Sequence, residues 1–203
     1  NYGLLYLEQK GIPREKVYSK DAARNLPSLF KENLDDEDMT AVFYSAQSLG
    51  GLVNLQKNNV ELLSRIGAVK AMMDWVCKRD MEFEDGACYL FYAMYESARP
   101  AMMGGDLEKG KSIFKQHMEK YPLNLLGRIS YIQFYVIPMM DEIEYASQRE
   151  FLIREFKKWE TVKNAGVNLD SSVPYQKAAK YNLYNAIALE RFKIIEKNKD
   201  NIF

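Results

Sequence analysis

Apolar residues recur every three or four positions along most of the chain, and the sequence shows no sustained strand-like alternation. After an acidic cluster at residues 35–38, apolar residues follow helical spacing over residues 42–53 and again over residues 62–76. This spacing places the apolar side chains on one side of a helix, so it predicts an all-α chain. The acidic cluster suits a helix N-terminus, because the helix dipole favours negative charge there.

Glycine and proline residues divide the rest of the chain into further predicted helices. We expect two short helices within residues 1–34, separated at residues 11–13, and longer ones over residues 85–97, 106–121, 123–136, 141–163 and 175–197. Residues 166–174 are predicted to form a loop. The sequence therefore predicts a single domain of stacked antiparallel helical hairpins over residues 1–203, with N-terminal helices in 1–34, hairpins in 35–165, and a loop and last helix in 166–203.

One part of the chain matches half of a tetratricopeptide repeat. Residues 105–110, then Phe114 and Tyr121-Pro122, have the spacing of the second helix of that repeat, with Gly110 where a small residue is required. Leu49-Gly50 has the large and small pair typical of a first helix. These matches predict a tetratricopeptide-repeat-like array of hairpins.

Composition excludes several classes of function. The 203 residues contain 28 Lys and Arg and 28 Asp and Glu, so there is no basic excess for a nucleic-acid partner. No apolar run reaches the roughly 18 residues that span a bilayer. His117 is the only histidine, and we expect it on a solvated helix face, which makes metal sites and catalytic triads improbable. We predict no enzymatic activity, no catalytic residue, no metal and no cofactor.

The two cysteines leave two interpretations open. Cys77 and Cys88 are 11 residues apart and form no C-x-x-C motif. We favour two free thiols, because most buried cysteines behave as small apolar residues; the alternative is a disulfide across the turn between adjacent helices. Asn1 is not an initiator, so we expect a processed or trimmed chain whose export signal or anchor preceded it.

Five segments occur in a specific order along the chain. They are residues 43–50 (Phe-Tyr-Ser-Ala-Gln-Ser-Leu-Gly), 96–100, 103–110 with Phe114 following, 129–135, and Phe151-Leu152. Together they make residues 39–159 resemble the T component of TRAP transporters, the TatT-like family of tetratricopeptide-type periplasmic proteins. Segment 103–110 (Met-Gly-Gly-Asp-Leu-Glu-Lys-Gly) carries the strongest part of the resemblance.

The resemblance implies an all-helical exported protein, usually lipid-anchored in the periplasm, that partners the substrate-binding protein of its transporter. It also implies a homotrimer, a hydrophobic cleft or pore through each subunit, and a small hydrophobic or organic-acid ligand. Gly110 stands where the repeat usually has alanine, and the chain contains no lipobox cysteine. The alternative function is a generic tetratricopeptide scaffold that binds a peptide or protein partner.

Candidate ligand-binding residues come from two segments rich in aromatic and methionine side chains, 89–103 and 131–140. Such side chains adapt to an amphipathic ligand, and Arg99 offers a planar fork to a carboxylate. The predicted ligand-binding residues are Tyr89, Tyr92, Glu96, Arg99, Met102, Met103, Tyr131 and Phe134. For the aromatic residues, the Glu96–Arg99 pair and the loop at 99–105 we favour structural roles, respectively core packing, an ion pair and a helix end.

Overall fold

The computed structural model describes residues 2–56, 58–165 and 179–203, and these form helices and connecting turns without a strand. The all-α prediction is confirmed. The chain divides into two compact units, Asn1–Cys88 (unit 1) and Tyr89–Phe203 (unit 2). The single domain over residues 1–203 stays a prediction, and so does the repeat array. The predicted loop at 166–174 lies outside the described residues.

Unit 1 contains six helices before the segment that leads into unit 2. They are α1 (Tyr2–Gln9), α2 (Arg14–Val17), α3 (Ala22–Asn33), α4 (Met39–Leu55), α5 (Val60–Leu63) and α6 (Ile66–Arg79). Helix α6 packs against α3 and α4, and α4 also packs against α1. The prediction of two helices within residues 1–34 is wrong, because the chain turns a second time where Ser19 Oγ accepts a hydrogen bond from the Asp21 N–H at 3.0 Å.

The acidic cluster starts α4 as predicted, through a short 3-10 turn at Asp36–Asp38. Asp35 Oδ1 accepts from the Glu37 N–H at 3.0 Å, and Asp38 Oδ2 accepts from the Asp35 N–H at 2.8 Å. This reciprocal pair is a capping box, which satisfies backbone N–H groups that have no partner within the helix. The apolar stripe of α4 then follows, with Val42, Phe43 and Ala46 buried.

A disulfide joins α6 to α7 (Phe83–Ala98), with the Cα atoms of Cys77 and Cys88 5.7 Å apart. The favoured prediction of two free thiols is therefore wrong, and the alternative is correct. Between the cysteines, Glu84, Asp85 and Gly86 adopt left-handed backbone conformations, with φ of 49°, 54° and 84°. This reversal brings Cys88 back to α6, and the regular part of α7 begins after it.

In its described residues, 89–165 and 179–203, unit 2 continues from α7 through four longer elements and one short helix. They are α8 (Leu107–Lys120), α9 (Leu126–Tyr131) with a π-helical continuation at Ile132–Val136, α10 (Glu142–Ala165), α11 (Asn182–Lys197) and α12 (Lys199–Ile202). The predicted helix start at Asp106 is confirmed, since Asp106 Oδ1 accepts from the Lys109 N–H at 2.9 Å. The predicted helix over 123–136 is shorter and changes from α to π at Ile132.

In unit 2, α8 runs antiparallel to α7 and to α9, and α11 runs antiparallel to α10. At one end, the Asn185 side chain bonds the backbone of Leu123 and Leu125, and Trp159 Nε1 donates to Asn182 Oδ1 at 2.9 Å. At the other end, the Tyr135 hydroxyl donates to Glu108 Oε1 at 2.9 Å. The loop at 99–106 and the turn at 137–141 therefore lie at the same end of unit 2.

His117 is fully buried, so the prediction that it lies on a solvated face of α8 is wrong. It follows Phe114 by three residues and shares the apolar face of the helix with it. Its ring lies 5.1 Å from the ring of Tyr121, and Gly127 of α9 packs against its Nδ1 edge. The prediction was based on the polar character of this segment, which does not show whether the His117 ring is buried.

Candidate functional site

Three of the predicted ligand-binding residues share one face of α7, and a fourth follows the helix directly. Tyr89, Tyr92 and Glu96 are spaced three or four residues apart, which aligns them along the helix, and Arg99 comes directly after its last residue, Ala98. Tyr89 is half-buried, with its ring edge against Tyr121 at a centroid distance of 6.4 Å. Tyr92 is also half-buried. This face contacts α8, because Glu96 Oε1 pairs with Lys109 Nζ at 2.7 Å.

Arg99 is held by the loop that follows α7. Its Nη2 lies 3.2 Å from Glu96 Oε2, which confirms the predicted pair. Nε donates to the Tyr95 carbonyl at 3.0 Å, and the two terminal nitrogens donate to the Met103 and Gly104 carbonyls, each at 2.9 Å. A guanidinium has five N–H groups, and those of Arg99 are engaged by the last turn of α7 and by the loop that follows it.

The loop closes tightly around Arg99. Gly104 has a φ of +78°, and a Cβ on Gly105 would lie 1.9 Å from the Arg99 carbonyl oxygen. Both positions therefore require glycine. Between them and Pro100, the 3-10 turn Ala101–Met103 holds Met102 and Met103 in solvent, with 94% and 65% of their surface exposed.

Tyr131 lies in the hydrophobic core of unit 2, and Phe134 packs against that core. Tyr131 is fully buried, its ring stacked on Tyr135 at 5.3 Å and set against Phe114 at 5.7 Å. Burial, reinforced by the negative charge of Glu144, raises the pKa of Tyr131 well above its ordinary value. Phe134 is partly buried against the same core. A ligand would reach Tyr131 only if the helices separated, so its binding role stays a prediction.

A second exposed methionine pair follows the π-helical segment. Met139 and Met140 expose 48% and 58% of their surface, and Ile143, in the first turn of α10, is also exposed. Met140 has a φ of +52°, which turns the chain sharply before α10. Because the Tyr135–Glu108 hydrogen bond joins these segments, both pairs lie at the same end of unit 2. We call Met102, Met103, Met139, Met140 and Ile143 the methionine-rich end.

The composition of both pairs is visible in the sequence, but their exposure is not. Met139 and Met140 look like core residues when read only by their helical spacing. The signal that could have identified them is their position directly after a helix and before an acidic helix start, at Asp106 and again at Asp141. Residues in such turns are usually at the surface.

Two shallow hollows occur in unit 2, and the predicted ligand-binding residues line neither of them. One runs along α8, and the other is lined by Glu142, Tyr145, Ala146, Arg149, Lys199 and Phe203. Beside the second, Arg149 and the Tyr145 hydroxyl bond Glu196 at 2.5–2.9 Å. Burial alone would raise the pKa of Glu196, but these hydrogen bonds hold it below its ordinary value. These hydrogen bonds hold α10 against α11.

None of the helices within residues 2–56, 58–165 and 179–203 is both long and apolar enough to cross a bilayer. Within the same ranges, no cluster of three or more His, Cys, Asp and Glu side chains is arranged to hold a metal ion.

Comparison with known families gives one match. The model of the family described as TRAP transporter T-component matches residues 1–154, which is most of the chain. The match includes the segments at 43–50, 96–110 and 129–135 and extends to the N-terminus, beyond the resemblance seen at residues 39–159. It confirms that resemblance. No curated protein matches the sequence.

Proposed function

The chain belongs to the T-component family of TRAP transporters, an accessory part of TRAP transport, and on that premise we propose that it docks the transporter's substrate-binding protein through the methionine-rich end. The observation that carries this proposal is the exposure of Met102 and Met103 on a loop held in place by Arg99. Methionine side chains are apolar and adaptable, and they are common on surfaces that bind other proteins.

The acidic residues near the methionine-rich end favour a protein partner with basic residues around its binding surface. Each methionine pair is followed by acidic residues, Asp106 and Glu108 after the first and Asp141 and Glu142 after the second. Glu108 and Glu142 are exposed. A complementary surface has apolar residues at its centre and Lys or Arg at its rim, because matched charges steer association and fix orientation.

The Cys77–Cys88 disulfide supports a periplasmic location for this protein. Disulfides persist in oxidising compartments, and the bacterial periplasm is one of them. A periplasmic protein would also meet a periplasmic substrate-binding protein directly. A lipid anchor on the complete gene product is part of the same proposal and rests on family resemblance alone.

We further propose that the protein binds or conducts a small apolar or organic-acid ligand through a cleft or pore beside α7. The half-buried tyrosines Tyr89 and Tyr92 support this, since each combines an apolar ring with a polar tip. Tyr92→Asp and Met103→Asp should each weaken binding of a fluorescent apolar probe while the far-ultraviolet circular dichroism spectrum is unchanged. Full probe binding by either variant would contradict this assignment.

Docking can be tested with the purified substrate-binding protein of the same transporter. We expect Met102→Glu combined with Met103→Glu to weaken its binding about tenfold or more, as measured by surface plasmon resonance. Leu55→Glu is the matched control, because Leu55 is an apolar residue in unit 1 with 83% of its surface exposed. It should bind like the unmodified protein.

A double variant that binds like the unmodified protein would exclude the methionine-rich end as the docking surface. If the unmodified protein fails to bind at all, the docking function itself falls. Circular dichroism spectra of both variants show whether a loss of binding reflects a loss of fold.

A further inference from the structure

The ten methionines differ sharply in exposure, and all of them lie in the described part of the chain. Met72, Met73 and Met118 are buried, and three others are partly buried. The four that are exposed are the two consecutive pairs of the methionine-rich end.

Backbone geometry keeps the first pair exposed. Arg99 fixes the carbonyl oxygens of Met103 and Gly104, and Gly105 packs closely against the Arg99 carbonyl, so the path of the loop is fixed at several points. The second pair follows a hydrogen bond from the Met139 N–H to the Tyr135 carbonyl at 3.1 Å. Their thioether sulfurs therefore stay accessible to small oxidants in the folded protein.

We propose that Met102, Met103, Met139 and Met140 are a site of reversible oxidation by hydrogen peroxide, and that their oxidation switches docking off. The effect on docking rests on the proposed function, whereas the modification itself does not.

The chemistry needs only the thioether and the peroxide. A sulfur lone pair attacks one peroxide oxygen, the S–O bond forms as the O–O bond breaks, and a proton shift releases water. Sulfur loses two electrons and the peroxide gains them. The product, methionine sulfoxide, is polar, and sulfoxide reductases return it to the thioether.

The switch follows from the change in polarity. An apolar partner surface would meet the polar S=O group in place of the thioether, and burying a polar group without a hydrogen-bond partner opposes binding. With four sulfurs at one end of unit 2, partial oxidation already changes the surface on which docking depends.

The modification is tested by limited peroxide treatment of the folded chain, followed by peptide mass spectrometry. We expect the four exposed methionines to be half-oxidised at a peroxide dose at least about tenfold lower than the dose for Met72 and Met73, which serve as internal controls. Equal doses for exposed and buried methionines would overturn the proposal.

The switch is tested by binding of the oxidised protein to the substrate-binding protein. We expect binding about tenfold weaker after oxidation and restored by sulfoxide reductase. Peroxide should not change the binding of a variant with all four methionines replaced by leucine, whatever the affinity of that variant before treatment. Oxidised protein that binds unchanged would overturn the switch while leaving the docking function intact.

If the untreated protein does not bind the partner, the docking function and the switch both fall. The peptide analysis then still decides whether the modification site exists, because it needs no partner.

Discussion

Asp38 is a fully buried carboxylate that ties α1 to the start of α4. Lys10 Nζ lies 2.8 Å from Oδ1, the Tyr6 hydroxyl donates to the same oxygen, and the Asp35 N–H donates to Oδ2. Burial by itself would raise the pKa of Asp38, but the hydrogen bonds from Lys10 and Tyr6 hold it below its ordinary value. The carboxylate is therefore stabilised in the folded protein as the ion.

We predict that Asp38→Asn lowers the free energy of unfolding by about 2 kcal/mol at neutral pH. The carboxylate accepts hydrogen bonds at both of its oxygens, whereas an asparagine side chain has only one acceptor oxygen. The contribution of Asp38 is fully present above the unfolded-state pKa, about 4, and is lost as pH falls through the lower folded-state pKa. Urea unfolding at several pH values measures this, and the variant should lose less stability than the unmodified protein between about pH 4 and pH 2.

The control for Asp38 is Glu37→Gln. Glu37 is exposed in the same 3-10 turn, and the same charge is removed without a buried contact. We expect its unfolding free energy to stay within about 0.5 kcal/mol of the unmodified protein. Equal effects of the two substitutions would show that the buried network contributes nothing specific.

Gly127 allows α9 to approach the buried ring of His117. A Cβ at this position would lie 2.3 Å from Nδ1, and the ring is enclosed, so it cannot move aside. We predict that Gly127→Ala destabilises the protein by about 1–3 kcal/mol, measured by thermal unfolding.

Gly51→Ala is the control. A Cβ added at Gly51 would have no atom within 4 Å, and the position is exposed in the interior of α4. This substitution should stabilise the protein by about 0.5–1 kcal/mol; a stable Gly127→Ala variant would contradict the close packing.

At the residue scale, sequence reasoning succeeded for local pairs and failed for burial of polar groups. The Glu96–Arg99 pair and the Asp106 cap follow from spacing along one helix, and both are present. The burial of Asp38 and His117 depends on partners from other helices, and spacing within one segment carries no information about them.

At the scale of helices, the apolar stripes predicted where most elements lie, and the local geometry of the backbone went beyond them. The predicted helix over 85–97 is present, but it begins with the left-handed Glu84–Gly86 reversal. The predicted helix over 123–136 becomes π-helical, with the Ile137 N–H bonded to the Ile132 carbonyl at 2.9 Å. Both departures from the predicted helices occur where packing against other helices sets the path of the backbone. π-Helical turns are also frequent at functional sites.

The disulfide between α6 and α7 closes a short loop that includes the left-handed reversal. Replacing both cysteines with serine should lower the free energy of unfolding by about 3 kcal/mol, because the cross-link limits the freedom of the unfolded chain. Urea unfolding with and without a thiol reductant measures this.

The double serine variant is also the control, since a reductant should not change its stability. Thiol titration of the unreduced, denatured protein should find no free thiol. Two titratable thiols under those conditions would contradict the disulfide and remove its support for a periplasmic location.

At the scale of the whole molecule, sequence reasoning reached the family and the all-α class, because both depend on patterns spread over many residues. The methionine-rich end was visible only as composition. Its existence as a surface depends on the antiparallel order of the helices of unit 2, which brings the loop after α7 beside the turn before α10. The sequence pattern within either segment does not show that the two segments lie close together.

Two properties of the chain bear on the predicted self-association. The formal net charge is zero at pH 7, so long-range repulsion between copies is small. Apolar side chains away from the methionine-rich end are exposed on both units, including Val60 and Leu63 in unit 1 and Leu183 and Ile194 in unit 2. A ring of three copies uses two different patches of each subunit, and apolar surface is present on each unit. The homotrimer implied by family resemblance stays a prediction, and these exposed apolar side chains are where its contacts would form.

We predict a molar mass near three times 23.6 kDa, measured by light scattering behind a sizing column. Because the exposed contacts are apolar, the mass should hold when the salt concentration is raised to about 1 M, where interactions between surface charges are screened beyond about 3 Å. A trimer that dissociates in salt would instead indicate an interface made by ion pairs. A mass near 23.6 kDa at every concentration would contradict the trimer, while the docking proposal would remain open to its own test.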